Sequence, residues 1–281
     1  MSEKHILVLI VVCLLGLTFC APATRVKTEP DVIFVTTPAR VVREMLKLAD
    51  VKQDDIVYDL GSGDGRIVIA AARDFGARAV GIELDERLNA ESVRNAKEAN
   101  VADRTSFRKE DIFACDIHEA TVVTLFLLPG VNQMLIPKLL SELRPGTRIV
   151  SHRFDMGDWA PDAVLTAYGS TVYFWYVPAR VDGTWDITIE RENPWRLRCM
   201  FDQKFQAVRG TDGKGGATFK EIILYGKDIE MTIDGDAADF GAVMKLVGQV
   251  DGDTMAGTAV IRGGSHPGSY VWKGARVKKR M

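Results

Sequence analysis

A short apolar run at residues 56–60 breaks into three glycines on alternate positions, and no other feature constrains this chain as much. The stretch reads Val57-Tyr58-Asp59-Leu60-Gly61-Ser62-Gly63-Asp64-Gly65 and passes directly into the helical pattern of residues 66–73. Strand, tight glycine turn and helix in that order aim the helix's N-terminal amides at the bend. A second strand-like run at residues 78–82 ends on Glu83. A carboxylate at that place can accept from both hydroxyls of a ribose. The unit reads as a nucleoside holder.

Spacing narrows the nucleoside. A dinucleotide turn follows G-x-G-x-x-G, with amides on a pyrophosphate. Here the glycines fall at 61, 63 and 65, and Arg66 stands where the third glycine would be. Asp59 precedes the first glycine, where it repels a pyrophosphate but can pair with an ammonium. Together, strand, Asp59, glycines and Glu83 resemble motif I and the acidic-loop motif of class I S-adenosylmethionine (SAM) methyltransferases. That resemblance implies SAM as cofactor, with Asp59, Gly61, Ser62, Gly63 and Gly65 at its methionine end and Glu83 on its ribose. It also implies an acidic residue on the adenine amino group, for which Asp111 is the candidate, with a helix-capping role as its alternative.

Strand and helix patterns alternate through residues 32–178, so the expected fold is α/β, a doubly wound seven-stranded Rossmann-like sheet. Thr37-Pro38 should cap and open a first helix. Asp85 should cap another that ends near Asn100. Strands are expected at 105–108, 121–127 and 148–151, a helix at 131–143, and a hairpin of 163–168 with 171–177 around Gly169-Ser170. Beyond Pro178 come eight short alternating segments, several separated by Asp-Gly turns such as Asp234-Gly235 and Asp251-Gly252. This predicts an all-β antiparallel barrel or sandwich over residues 181–281, hollow or filled. Gly183-Thr184-Trp185, Trp272 and Arg276 resemble the lipocalin-like pattern over a few residues.

The N-terminus carries a separate message. Residues 6–20 form an apolar run too short for a comfortable membrane span but suited to a signal peptide, with Ala21-Pro22-Ala23 as a cleavage site. Residues 1–23 are therefore a signal-like or membrane-anchor segment and 24–31 a polar linker. Cys20 also resembles a lipoprotein site, although Phe19 is bulky for one. Export conflicts with a cytoplasmic methyl donor, so an anchor facing the cytoplasm stays open beside a cleaved signal. The net charge of −2 argues against nucleic acid as partner, and the four cysteines are too few and scattered for a disulfide framework or a metal site.

Methyl transfer needs donor and acceptor aligned and water excluded. The segment after the fourth strand, Thr124-Leu125-Phe126-Leu127-Leu128-Pro129, lacks both the Asn/Asp-Pro-Pro-aromatic motif of amide methylation and a carboxylate cluster for metal. An apolar rim remains, suited to an amine that loses its proton by desolvation. Candidate acceptor-pocket residues are Thr37, Leu128, Pro129 and His152, the last able to line the channel or to bond Asp155. No general base stands out. The segments 34–38, 58–68, 80–83, 122–129 and 151–159 resemble the protein-lysine methyltransferases that act on the mitochondrial adenine nucleotide translocase and on the c-ring protein of ATP synthase, with their bacterial relatives. The resemblance implies a protein substrate, possible membrane proteins among them, and often an N-terminal membrane segment. The β region after Pro178 departs from that pattern. Alternatives are a small-molecule or lipid-head-group acceptor, or an exported binding protein with a vestigial methyltransferase fold.

Overall fold

The computed structural model describes residues 35–213, 217–234 and 241–278, so the expectations for 1–31 lie outside the described residues. No helix among the described residues is long and apolar enough to cross a membrane. The first half runs α1 (Ala39–Leu48), β1 (Ile56–Leu60), α2 (Arg66–Phe75), β2 (Arg78–Ile82), α3 (Glu86–Glu98), β3 (Thr105–Arg108), β4 (Val122–Leu125), α4 (Pro129–Glu142), β5 (Arg148–His152), β6 (Ala163–Ala167) and β7 (Ser170–Tyr176). These strands form one sheet in the order β3-β2-β1-β4-β5-β7-β6. The five central and leading strands are parallel, and β7 returns antiparallel to β5. The order reverses between β1 and β4, which opens a crevice at their carboxyl ends, beside the glycine turn.

Alternation along each strand assigns the two faces. Val57, Val122 and Val150 pack under α1 and α2 with Val42, Met45 and Val68. Tyr58, Val123 and Ile149 face α4 with Leu135 and Leu139. Each such fully buried side chain contributes about 1.5–3 kcal/mol. By the same parity Asp59, Thr124 and His152, each two residues on from a valine, point toward the α1 and α2 face.

Two expectations shift. The strand expected at 121–127 stops at Leu125, because Leu128 caps α4 and Pro129, with its φ preset, is its first residue. That frees Phe126 and Leu127 to line the crevice. The hairpin turns on Tyr168 (φ 52°) and Gly169 (φ 76°), one residue earlier than expected. Two positive φ values give the turn whose twist matches the flanking strands.

At the opposite edge, the Arg148 guanidinium pairs with the Asp55 carboxylate and donates to the carbonyls of Ala49 and Asp50. Asp55 also accepts from the Thr121 hydroxyl (2.7 Å) and the Lys52 amide (2.6 Å). The starts of β1, β4 and β5 and the end of α1 are thereby tied to one carboxylate.

The second half is a meander of β8 (Gly183–Glu190), β9 (Trp195–Lys204), β10 (Ala207–Asp212), β11 (Thr218–Tyr225), β12 (Asp228–Asp234), β13 (Val243–Asp251), β14 (Thr254–Arg262) and β15 (Gly268–Arg276). β15 pairs back onto β8, leaving one seam between β10 and β11. Gly210 closes the seam, since a side chain there would stand 2.7 Å from the Phe219 ring. The result is a nearly closed barrel rather than a sandwich. It is of the filled kind: Trp185, Phe201, Met231, Met244, Leu246 and Trp272 occupy its interior. Arg276 lies 4.5 Å over the Trp185 ring, pairs with Asp253 and donates to the Arg180 and Asp182 carbonyls. Arginine thus closes the end at which the chain enters, with cation–π and hydrogen-bond contacts together.

Two barrel turns rest on the first sheet. Phe205 stacks on buried Trp159 at 5.4 Å and 10°, flanked by Gln206 donating to the Ala160 carbonyl (2.6 Å) and by the Lys204–Asp158 pair (3.0 Å). Gly226 accepts from the Ala179 amide (2.6 Å) and touches Gly146 backbone to backbone.

Because Asp55 is buried and Arg148 nearly so, removing one partner leaves an uncompensated charge. Arg148→Ala should cost about 3–5 kcal/mol, read as a lowered denaturation midpoint of the first-half transition.

Candidate functional site

The crevice is built around Asp59. Its carboxylate is 2% exposed and accepts from the Thr124 hydroxyl at 2.6 Å. Burial, and then the nearby Glu83 and Asp64 carboxylates, push its pKa up to about 7 against the opposing Thr124 bond. Three carboxylates around one turn make the crevice attractive to a cation.

The turn itself needs its glycines. Gly61, Gly63 and Gly65 have φ of 82°, 55° and 80°, the left-handed region that glycine enters without cost. A side chain on Gly65 would also collide with Phe107 and Ser92, both at 2.7 Å. Gly81, by its sequence an ordinary strand residue, lets β2 approach the turn: a Cβ there would sit 2.6 Å from the Ser62 hydroxyl. That buried hydroxyl has no partner.

Glu83, also buried, accepts from the Gly63 amide and the Asp85 amide, both at 2.9 Å. The two bonds fix its plane against the glycine turn and leave lone pairs on both oxygens for hydroxyl donors. Asp85 caps α3 by accepting from the Arg87 amide (2.8 Å) and the Leu88 amide (3.2 Å). Asp111 lies exposed beyond β3 and accepts from the Phe113 amide at 2.9 Å. Its turn-capping role is present, and its position on the same sheet edge keeps it available to a ligand's adenine end.

On the acceptor side, Thr37 and His152 come together and Leu128 and Pro129 do not. Thr37 is not the cap of α1: Pro38 takes that position without a side-chain bond, and the Thr37 hydroxyl meets His152 Nδ1 at 3.1 Å. Arg66 donates to the Thr37 carbonyl (3.0 Å), tying this strap to the glycine turn. His152 does not bond Asp155, whose carboxylate accepts from the Gly157 amide instead. The imidazole lies 4.3 Å from the Phe126 ring, and burial holds its pKa down to about 4. Phe126 in turn stacks on Phe154 at 6.3 Å. Leu128 and Pro129 sit exposed at the start of α4, and Leu127 instead reaches Gly61. Thr124, Phe126, Leu127 and Phe154 thus stand around the crevice without having been among the candidate residues named from the sequence. The apolar run of 121–127 holds two hydroxyls, Thr121 and Thr124, and Thr124 is the one nearer the carboxyl end where the crevice opens. Phe126 and Leu127 belong to the apolar rim already read at 124–129, and Phe154 lies in the segment 151–159 that carries the family resemblance.

Known proteins share this arrangement. The family model for the ANTKMT methyltransferase domain matches residues 59–163. A protein-lysine N-methyltransferase of Saccharolobus islandicus is 50% identical over 153 residues, covering 53% of this chain and 95% of that protein. This chain belongs to the ANTKMT methyltransferase family. Within the family, an adenine nucleotide translocase lysine N-methyltransferase of Mus musculus is 36% identical over 50% of this chain and 61% of its own length. A crystal structure described as an RNA methyltransferase from Salinibacter ruber, in complex with S-adenosyl-L-homocysteine, is 59% identical. It superposes with a TM-score of 0.52 and covers 52% of this chain and 96% of that one. These matches leave about half of the chain outside, and the ANTKMT family model ends at residue 163, before the barrel. The chain is a SAM-dependent methyltransferase, and the crevice fits that cofactor: a cation-seeking carboxylate, an orphaned hydroxyl and a cradle that a Cβ would fill.

Asp59 titrates near neutrality without ligand, and a bound ammonium draws it back to the ionised form. Binding SAM should therefore release a proton, and affinity should fall about fivefold from pH 7 to pH 6. Calorimetry in buffers of different ionisation heat measures both, and Asp59→Asn should flatten the profile. For the ligand-free fold the sign is opposite. A carboxyl whose pKa rises on folding favours the folded state at low pH, and that contribution is lost as pH climbs from about 4 to 7.

Proposed function

We propose that this chain transfers methyl groups from SAM to the side-chain amine of a protein lysine. The observation that carries the reading is a buried carboxylate crevice for a cationic donor set against an apolar wall of Phe126, Leu127 and Phe154. Asp59, with Thr124 behind it, holds the donor's ammonium, and the backbone of residues 61–65 with the unpartnered Ser62 hydroxyl surrounds its methionine end. Glu83 takes the ribose hydroxyls and Asp111 the adenine amino group. The bound sulfonium supplies an electrophilic methyl group.

The chain's own part is to position and to dry. Thr37, held by Arg66 and His152, closes the crevice from above the α1 face. Phe126 and Phe154 exclude water from the acceptor, and a desolvated lysine loses its proton more readily, freeing the lone pair that attacks. No side chain is needed as a strong base. The names of the S. islandicus and M. musculus relatives support a protein acceptor, and the net charge of −2 disfavours an RNA backbone. A membrane protein as acceptor, with attachment through the apolar residues 6–20, is the form of this reading the sequence favours.

Full-length protein incubated with membranes, soluble protein, RNA and methyl-labelled SAM tests the reading. Label should appear as methyl-lysine in protein hydrolysate; label confined to the lipid or RNA fraction would overturn it. Glu83→Ala should weaken SAM binding at least tenfold by calorimetry, because it removes the ribose acceptor and unpins the Gly63 amide.

A further inference from the structure

The acceptor side of the crevice contains a buried polar atom that the fold leaves without a partner, His152 Nε2. We propose that the acceptor lysine completes it: the amine donates one N–H to His152 Nε2, which turns the amine lone pair toward the methyl donor. The inference rests on the lysine reading above and assigns a catalytic residue within it.

Five observations support the assignment. His152 is 2% exposed, so an unmade hydrogen bond at Nε2 is costly unless a ligand supplies it. Its other nitrogen, Nδ1, is engaged by the Thr37 hydroxyl, and a ring that donates there keeps its lone pair on Nε2. The Phe126 ring packs against the imidazole at 4.3 Å, so one flank of the histidine is apolar. The donor's own ammonium has a better partner in the Asp59 carboxylate, two strands away. Held neutral by its burial, the imidazole does not repel a nearby sulfonium.

The electron count is simple. The neutral amine's lone pair forms the N–C bond, the C–S bond breaks with its pair going to sulfur, and the new methylammonium passes its proton to water. Nε2 takes no proton; it orients. Unmethylated and monomethylated lysines each have an N–H to donate while the lone pair attacks, but a neutral dimethylated lysine has none. His152 therefore serves the first two transfers and not the third.

Protein carrying nitrogen-15 histidine, loaded with S-adenosylhomocysteine, tests this by NMR. The n-butylammonium ion should move the His152 Nε2 resonance, while n-butyltrimethylammonium, which has no N–H, should not. His118 and His266, both exposed, should ignore both. An Nε2 that responds to S-adenosylhomocysteine alone, to both amines equally or to neither overturns the assignment. Failure to bind S-adenosylhomocysteine overturns the donor site instead, so the two readings fail separately. In turnover on poly-L-lysine, His152→Leu should slow the first and second methylations about tenfold and spare the third. Thr37→Val, which leaves the ring in place but releases its tautomer, should give a smaller loss of the same pattern. Equal slowing of all three transfers by both variants would mean a structural role and overturn the proposal.

Discussion

A carboxylate withheld from water is the constraint on which this molecule turns. Asp59 is buried on the α1 and α2 face with Thr124 as its hydrogen-bond donor, and Glu83 and Asp64 stand close enough to disfavour its charge. Such a cluster is an unfavourable arrangement for the fold by itself. It becomes favourable beside a cation, so the same burial that strains the carboxylate cluster strengthens its hold on a positively charged ligand. A pyrophosphate would meet the opposite field, which separates this glycine turn from a dinucleotide site on charge as well as on spacing.

The acceptor side depends on a strap rather than on a strand. Thr37 precedes α1 and reaches both His152, through its hydroxyl, and Arg66, through its carbonyl. Arg66 is also paired with Asp64 in the glycine turn (2.5 Å). Donor turn and acceptor wall are thus joined through one short segment, and movement of the strap would be felt on both sides. The barrel bears on the same wall from below. Phe205 stacks on Trp159, whose carbonyl accepts from the Trp175 indole (2.9 Å), and Asn132 on α4 donates to the carbonyls of Phe154 and Asp155. The segment between β5 and β6 is held on three sides, and Phe154 of the apolar wall lies within it.

The barrel is a packed body. Its alternation is plain in β9, where Trp195, Leu197, Cys199 and Phe201 point inward and Arg196, Arg198, Met200 and Asp202 point out. Turn residues and a period of two were enough to anticipate eight strands. They were not enough to choose between barrel and sandwich, because that choice lies in the pairing of β15 with β8, residues more than eighty positions apart. Nor could they say whether the interior is full, which depends on how three tryptophans, three methionines and a phenylalanine meet.

By itself the sequence determined the parallel sheet, the glycine turn, the carboxylate that follows β2 and the family, since each is written in local spacing that backbone geometry must obey. Helix limits at α3 and the capping by Asp85 were legible for the same reason. Only the tertiary structure decided where lone polar groups go. Thr37 was equally suited to cap a helix or to meet a histidine from another strand, and a hydroxyl follows whichever partner packing brings near. His152 could have bonded Asp155, three residues away, yet strand parity sends it under α1. Leu128 and Pro129 stand exposed because α4 begins at Pro129, while Phe126 and Leu127 lie half-buried beside the crevice. Spacing along the chain fixes what a backbone can do; contacts between distant strands fix which side chains share a crevice.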